Sequence, residues 1–242
     1  MTEAGPDHRR PRSRLTLAIL ALLAVAGIAA LLALGTWQVH RLAWKTDLIA
    51  RVDQRVHAMP TPAPGPSDWA GITRDKDEYR RVTVSGEFLN DQAVLTQAVT
   101  DLGGGFWVIT PLRTDDGIYL INRGFVLPDE RTTYSRPAGP QTITGLLRMT
   151  EPGGGFLRSN KPDEDRWYSR DVAAIAATRG LDDVAPFFID ADRGEGTPVG
   201  GLTIIAFPNK HLGYAITWFA LALGLIAATI FVGVHEWRLR RR

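Results

Sequence analysis

Two long apolar stretches lie near the ends of the chain, and shorter alternating patterns fill the sequence between them. The first stretch runs from Leu15 to Val39. The second opens at Asn209 and continues without a charged residue from Leu212 to Val234. A helix needs about 20 apolar residues to span a bilayer. The pattern therefore predicts two transmembrane helices, over residues 15–39 and 209–234.

The first apolar stretch has features of both a membrane helix and a cleaved signal peptide. Four arginines precede it, and Ala33-Leu34-Gly35 resembles a weak cleavage site. The apolar part of a secretory signal usually spans only about 7–15 residues, and this stretch is longer. We therefore expect a retained helix, with cleavage as the alternative.

A helical period continues beyond the first apolar stretch and then stops at prolines. Apolar residues recur at spacings of seven and four from Trp37 to Val56, which places them on one helical face. Four prolines then alternate with other residues between residues 60 and 66, and such a segment is stiff and extended. We expect a helical extension followed by a linker.

Between the linker and the second apolar stretch the period changes to two, which is typical of strands. Val82, Val84 and Phe88, for example, share one face. Further strands are predicted at residues 93–96, 106–110, 118–126, 142–147, 186–190 and 202–206, with a turn at Gly103-Gly104-Gly105. One helix is predicted over residues 170–178, capped by Ser169 and ended by Gly180.

The fold class expected from these patterns is an α+β membrane protein. Two transmembrane helices flank an external, mainly antiparallel β domain, either a sandwich or a small barrel, with one or two helices. The expected parts are a basic tail (1–14), a transmembrane helix (15–39), an amphipathic helical extension (40–58), a Pro-rich linker (59–78), the external β-rich domain (79–208), a second transmembrane helix (209–234) and a second basic tail (235–242).

Arginines cluster outside both predicted membrane helices. Four precede the first helix and four follow the second, and such an excess marks the cytoplasmic side. Arg41, Lys45, Arg51 and Arg55 oppose this orientation, but long translocated domains largely escape the rule. We therefore expect a multi-pass protein of a bacterial cytoplasmic membrane, with a periplasmic central domain and with tails that contact anionic membrane lipids.

Composition and motifs exclude several function classes. The chain has no cysteine, so disulfides, thiolate metal sites and cysteine nucleophiles are excluded. The central domain has no basic face with interleaved aromatic residues, so we expect no nucleic-acid partner. No nucleophile elbow, zincin histidine pair or phosphate-binding glycine loop is present. We expect no enzymatic activity.

An ordered series of motifs resembles the surfeit-locus family of cytochrome oxidase assembly factors. The series comprises Gly35-Thr36-Trp37-Gln38, Phe106-Trp107-Val108-Ile109-Thr110-Pro111-Leu112, Asn122-Arg123-Gly124-Phe125-Val126, Trp167-Tyr168-Ser169-Arg170-Asp171, Gly200-Gly201-Leu202-Thr203 and Pro208-Asn209-Lys210-His211. Lys210 departs from the second asparagine expected there. The resemblance covers most of the chain from Gly35 to Phe219.

The resemblance implies a role in the assembly of haem-copper oxidases. Members are thought to carry haem a and to present it to the catalytic subunit of the oxidase, and a haem a synthase is a further candidate partner. The histidine that opens the second helix is the proposed haem ligand, which is His211 here. Imidazole suits iron, so the chemistry of the residue agrees with the resemblance.

The hairpin arrangement of the two membrane helices predicts which residues surround His211. The end of the first helix and the start of the second lie at the same bilayer face, so Trp37 and His40 lie near the height of His211. Trp37, Tyr214 and Trp218 are candidates to flank a porphyrin, and Arg41 or Lys45 to meet its propionates. The alternative for the aromatic residues is an anchor role at the membrane interface. His40 is a candidate second axial ligand. We expect Arg123 and Arg170 to form ion pairs that hold the fold.

Two features leave alternatives open. Ala220, Gly224 and Ala228 form a stripe of small residues that would let the two helices approach closely, although Ala and Gly are also simply common in membrane helices. Two helices around an external domain are also the layout of a membrane-anchored sensing or binding module for a periplasmic ligand or partner. No segment typical of a cytoplasmic signalling domain follows the second helix.

Overall fold

The computed structural model describes residues 12–155, 158–203 and 207–241. The chain divides into two compact units, of which the first comprises Met1–Ile49 and Phe207–Arg242 and the second comprises Ala50–Ala206. The described helices are α1 (Arg14–His57), α2 (Arg74–Asp77), α3 (Val172–Arg179) and α4 (His211–Arg240). The described strands are β1 (Thr61–Pro62), β2 (Arg81–Phe88), β3 (Val94–Thr100), β4 (Gly103–Arg113), β5 (Ile118–Val126), β6 (Pro140–Met149), β7 (Gly154–Gly155), β8 (Arg158–Ser159) and β9 (Val184–Ala191).

Helices α1 and α4 are long and apolar enough to cross a membrane, in agreement with the two predicted spans. Helix α1 is continuous through the predicted helical extension. Within the first unit the two helices pack antiparallel, because Gly27 faces Leu225 and Gly35 faces Phe219. The less exposed positions alternate at spacings of three and four, which is the pattern of a left-handed helix pair. They include Leu31, Gly35, Gln38 and Leu42 on α1 and Ala215, Trp218, Ala222 and Leu225 on α4.

The predicted small-residue stripe does not form this interface. Ala220, Gly224 and Ala228 are exposed, and a Cβ added at Gly224 would meet no atom within 4 Å. A Cβ added at Gly35 would lie 2.7 Å from the ring of Phe219. The close approach therefore involves glycines of the first helix and, on α4, the buried Ala215 and Ala222 rather than the predicted stripe.

The end of the helix pair opposite to His211 also carries a polar contact. Glu236 is buried, and its carboxylate accepts a hydrogen bond of 3.1 Å from the backbone N–H of Arg12. The guanidinium of Arg12 lies 3.7 Å from the same carboxylate. A buried charge needs such partners, and the contact ties the start of α1 to the last turns of α4.

The second unit is a small β-barrel, one of the two predicted alternatives. Its strand order is β1-β2-β6-β9-β5-β4-β3, and β2 also pairs with β4. The last pairing joins Phe88 to Leu112 and closes five strands into a ring. Most neighbours are antiparallel, and the exceptions among the described strands are β1 with β2 and β5 with β9. Closure removes the edges of an open sheet.

Two predictions about turns and strands need correction. Gly103-Gly104-Gly105 begins strand β4, whereas the turn lies at Asp101 and Leu102. A Cβ at Gly105 would lie 2.3 Å from the carbonyl oxygen of Val126, so the close strand approach requires glycine there. Leu202 and Thr203 form no strand, and the rest of the predicted strand at 202–206 lies outside the described residues.

Helix α3 begins two residues later than the sequence predicts. Its N-cap is Asp171, whose carboxylate accepts a hydrogen bond of 3.2 Å from the N–H of Ala174. The hydroxyl of Ser169 instead bonds the side-chain amide of Asn160. Gly180 ends the helix with φ of +61°, as predicted.

The proline-rich segment packs on the barrel and is therefore more than a spacer. Strand β1 pairs in parallel with β2. The carbonyl of Pro64 accepts hydrogen bonds from the indole of Trp69 at 2.8 Å and from the buried hydroxyl of Tyr119 at 3.1 Å. Burial raises the pKa of Tyr119. The prolines supply a rigid backbone without donors, and its carbonyls serve as acceptors for barrel side chains.

Candidate functional site

His211 is the first residue of α4 and contacts α1 through its ring. Its Nδ1 atom lies 2.7 Å from the side-chain Oε1 atom of Gln38. Gln38 is only 9% exposed, and His211 is half-buried. The contact joins the two helices within the first unit, at the end of one apolar stretch and the start of the other. A buried polar side chain in such a helix is expensive unless it is paired, and each of these two residues supplies the partner of the other.

The second ring nitrogen of His211 stays available. Among the described residues, its Nε2 atom has no hydrogen-bond partner. Nor do three His, Asp or Glu side chains come together anywhere in the described ranges to hold a bare metal ion. Haem iron needs fewer protein ligands than a bare metal ion, because the porphyrin supplies four ligands and the protein adds only the axial ones. A half-buried imidazole with one anchored and one open nitrogen fits that demand.

Among the predicted neighbours near this end of the helix pair, Trp37, Tyr214 and Arg41 are exposed and Lys45 is half-buried. Trp37 and Tyr214 are each 56% exposed. The guanidinium of Arg41 stacks on the ring of Trp44 at 4.0 Å, and the ammonium of Lys45 lies 5.6 Å from the ring centroid of Phe207. None of these side chains is closed off inside the protein, so their aromatic and cationic groups face the surroundings of the helices.

Helical geometry places the exposed neighbours on one side of the helix pair. Each residue turns an α-helix by about 100°. Gln38 and His211 face each other and serve as the reference positions on the two helices. By this rotation, Trp37 and Arg41 on α1 lie on the same flank of the helix pair as Tyr214 on α4. The contact between Gly35 and Phe219 lies on the opposite flank by the same count.

The remaining two predicted residues differ in their relation to His211. Trp218 is half-buried and lies two turns after His211 on the same interface stripe. His40 is exposed, and two residues after Gln38 the helix has turned by about 200°. His40 therefore points away from α4, while Trp218 faces the neighbouring helix.

A second polar centre lies around Asp190, on the face of the sheet that packs against α3 rather than in the barrel interior. Its carboxylate, 4% exposed, accepts from Asn122 at 2.7 Å, from Arg148 at 2.7 Å, from Thr203 at 2.8 Å and from Arg170 at 3.2 Å. Burial alone would lower the pKa of Arg148, but the nearby carboxylates outweigh it and raise that pKa. A cavity of about 210 Å³ borders this cluster. All four lone-pair directions of Asp190 are used, so the cluster stabilises the barrel.

The two arginines expected to form ion pairs behave differently. Arg170 bonds Glu151 at 2.6 Å and Asp190, as predicted. For Arg123 the prediction is wrong, because its guanidinium donates to the carbonyl of Ser135 at 2.7 Å and stacks on Phe88 at 4.9 Å. Burial lowers the pKa of Arg123. The partners of the Arg123 guanidinium are therefore a carbonyl and an aromatic ring, and not the carboxylate that was predicted.

Sequence reasoning assigned no role to Gln38 or to Asp190. The signal for Gln38 was present, since it is an amide side chain inside an apolar stretch at the height of His211. Asp190 ends an apolar strand segment, and an acid at that position gives no indication that four donors from distant segments converge on it.

Comparisons with known proteins agree with the motif series. The model of the SURF1 family matches residues 25–223. The chain is 35% identical over 229 residues to Surfeit locus protein 1 of Rattus norvegicus. The aligned region covers 84% of this chain and 71% of the relative. It is 35% identical over 225 residues to Surfeit locus protein 1 of Homo sapiens, with 82% and 71% covered. The SURF1-like protein of Monosiga brevicollis is 34% identical over 221 residues, with 82% of each chain covered. The chain belongs to the SURF1 family.

Proposed function

We propose that the protein is an assembly factor for a haem-copper terminal oxidase, which binds haem a and aids its insertion into the catalytic subunit. Membership of the SURF1 family supports the assembly role. The observation that carries the haem proposal is His211, an imidazole at a helix start with Nδ1 held by Gln38 and Nε2 open. The protein is proposed to act without catalysis of its own.

Haem a is the cargo, and the helix pair supplies the groups that would hold it. His211 offers a neutral nitrogen ligand for iron. Trp37, Tyr214 and Trp218 offer aromatic surfaces near the same end, and Arg41 offers a cation for a propionate. Exposure of Trp37 and Tyr214 suits a carrier, because a cargo bound at an open flank can leave without unfolding the protein.

We further propose that the protein resides in a bacterial cytoplasmic membrane, with the central domain in the periplasm. The arginine clusters outside both helices support cytoplasmic tails. In this orientation His211 lies at the outer face of the membrane. In this location the protein would contact three proposed partners: the catalytic subunit of the oxidase, a haem a synthase and anionic lipids.

A deletion strain tests the assembly role. Without the gene, oxidase activity and the haem a content of the catalytic subunit should fall while synthesis of that subunit continues. A plasmid copy of the wild-type gene should restore both, and a His211→Ala copy should not. Normal haem a content in the catalytic subunit of the deletion strain would contradict the proposed function.

A further inference from the structure

Gln38 is a buried amide near the end of the apolar stretch of α1. Gln38 is only 9% exposed, and the Nδ1 atom of His211 lies 2.7 Å from its amide oxygen. The two residues lie on regular helices, so the backbone positions from which their side chains extend are fixed. Such a contact restricts the ring of His211 to a narrow range of orientations.

The chemistry of the contact decides which ring nitrogen carries the proton. An amide oxygen can only accept a hydrogen bond, and a neutral imidazole has one N–H donor and one lone pair. For a neutral imidazole, a 2.7 Å contact between Oε1 and Nδ1 therefore places the proton on Nδ1 and the lone pair on Nε2. We propose that Gln38 is a positioning residue, which holds the proton of His211 on Nδ1 and presents Nε2 as the iron ligand.

This inference rests on the proposed function for the identity of the ligand, which is haem a. The predicted tautomer of His211, however, is a property of the haem-free protein. In metal sites, a ligating histidine commonly donates its other N–H to an oxygen, and loss of that acceptor lowers metal affinity about 10- to 100-fold. If Gln38 served only to join the helices, its replacement would change neither the tautomer of His211 nor the affinity for haem. The contact of Arg12 with Glu236, at the other end of the same pair, provides such a joining contact for comparison.

The tautomer is measured first, on haem-free protein. Full-length chain with ¹⁵N-labelled histidine is purified in detergent, and the His211 signals are assigned by their loss in His211→Ala. The wild type should show a protonated Nδ1 and an unprotonated Nε2. In Gln38→Leu the acceptor is gone and both tautomers should appear, while Gln38→Glu, which keeps an acceptor oxygen, should retain the proton on Nδ1. A protonated Nε2 in the wild type, or no change in Gln38→Leu, would overturn the inference.

Titration with haem a then separates the two proposals. Gln38→Leu should bind about 10- to 100-fold more weakly than the wild type, and Gln38→Glu should bind much more tightly than Gln38→Leu. Glu236→Gln, the control at the far end, should match the wild type. If the wild type binds no haem, the proposed function fails while the tautomer result still decides the role of Gln38. If the wild type binds through His211 and Gln38→Leu binds equally well, the positioning role alone is refuted.

Discussion

The Nδ1 atom of His211 lies 2.7 Å from the Oε1 atom of Gln38, although 173 positions separate the two residues in the chain. The contact brings the end of the first apolar stretch against the start of the second. It also accounts for an amide within an apolar sequence, since interhelical hydrogen bonds satisfy polar groups that lipid cannot.

The antiparallel packing of the helices is testable by cross-linking, because the natural chain contains no cysteine. A Cβ at Gly27 would lie 3.1 Å from the Cδ2 atom of Leu225. The pair Gly27→Cys with Leu225→Cys should therefore cross-link rapidly in membranes under mild oxidation. Gly27→Cys with Leu223→Cys is the control, because Leu223 is exposed and two residues away. Equal cross-linking of both pairs would refute the interface described here.

Loss of the Asp190 carboxylate should weaken the barrel strongly. Asp190→Asn would leave two largely buried arginines, each 14% exposed, without their shared carboxylate, and breaking a buried ion pair costs about 3–5 kcal/mol. Chemical denaturation of the full-length protein in detergent, followed by tryptophan fluorescence, measures the loss. Asp192→Asn is the control, because its partly exposed pair with Arg81 should contribute less than about 1 kcal/mol. Similar losses in the two variants would contradict the role of the cluster.

The carboxylate of Asp165 should give the barrel a pH-dependent stability. Burial tends to raise the pKa of Asp165, but hydrogen bonds from Trp167 at 2.8 Å and Arg179 at 2.7 Å outweigh it and lower that pKa. A lowered pKa stabilises the fold above the usual pKa of about 4, and the gain disappears as the pH falls through the folded-state value.

Asp165→Asn tests this dependence without strain, because asparagine tolerates the φ of +49° at this position. The side chain is 55% exposed, so the loss of unfolding free energy at pH 7 should be modest, about 0.5–1 kcal/mol. The difference from the wild type should shrink below a pH of about 4. Asp163→Asn, an exposed neighbour, serves as the control. If the difference in unfolding free energy between Asp165→Asn and the wild type grew as the pH fell, the ionised carboxylate would not be the stabilising group.

The proposed orientation predicts opposite locations for the central domain and the C-terminal tail. A reporter active only in the periplasm should work when fused after Gly103, which lies in an exposed β-hairpin. The same reporter should be inactive after Arg241, where a cytoplasmic fluorescent reporter should work. Activity of one reporter at both positions would overturn the topology.

The local elements were largely predictable from the sequence, whereas their pairings were not. Alternation predicted strands such as Arg81–Phe88, and length predicted both membrane helices. Closure of the barrel depends on Phe88 meeting Leu112, a pairing between separate strands that no local period encodes. For the same reason the donors around Asp190 could not be foreseen.

The sequence left open whether the small-residue stripe forms the interface between the membrane helices, and the reason is physical. A membrane helix is apolar on all faces, so hydrophobic periodicity cannot identify the side that packs. The fit of Gly35 against Phe219 selects the interface, and this fit excludes the stripe that includes Gly224. Gln38 and His211, polar residues near the ends of the two apolar stretches, lie on the packed side and were the better signal.

The absorption spectrum of detergent-purified protein, co-produced with a haem a synthesis pathway, tests the proposed haem site most directly. Wild type and His40→Ala should both show a haem absorption band of similar strength, because His40 points away from α4. His211→Ala should keep normal expression, membrane insertion and protease resistance of the barrel while the band falls sharply. A folded His211→Ala protein that retains full haem would show that His211 is not the ligand.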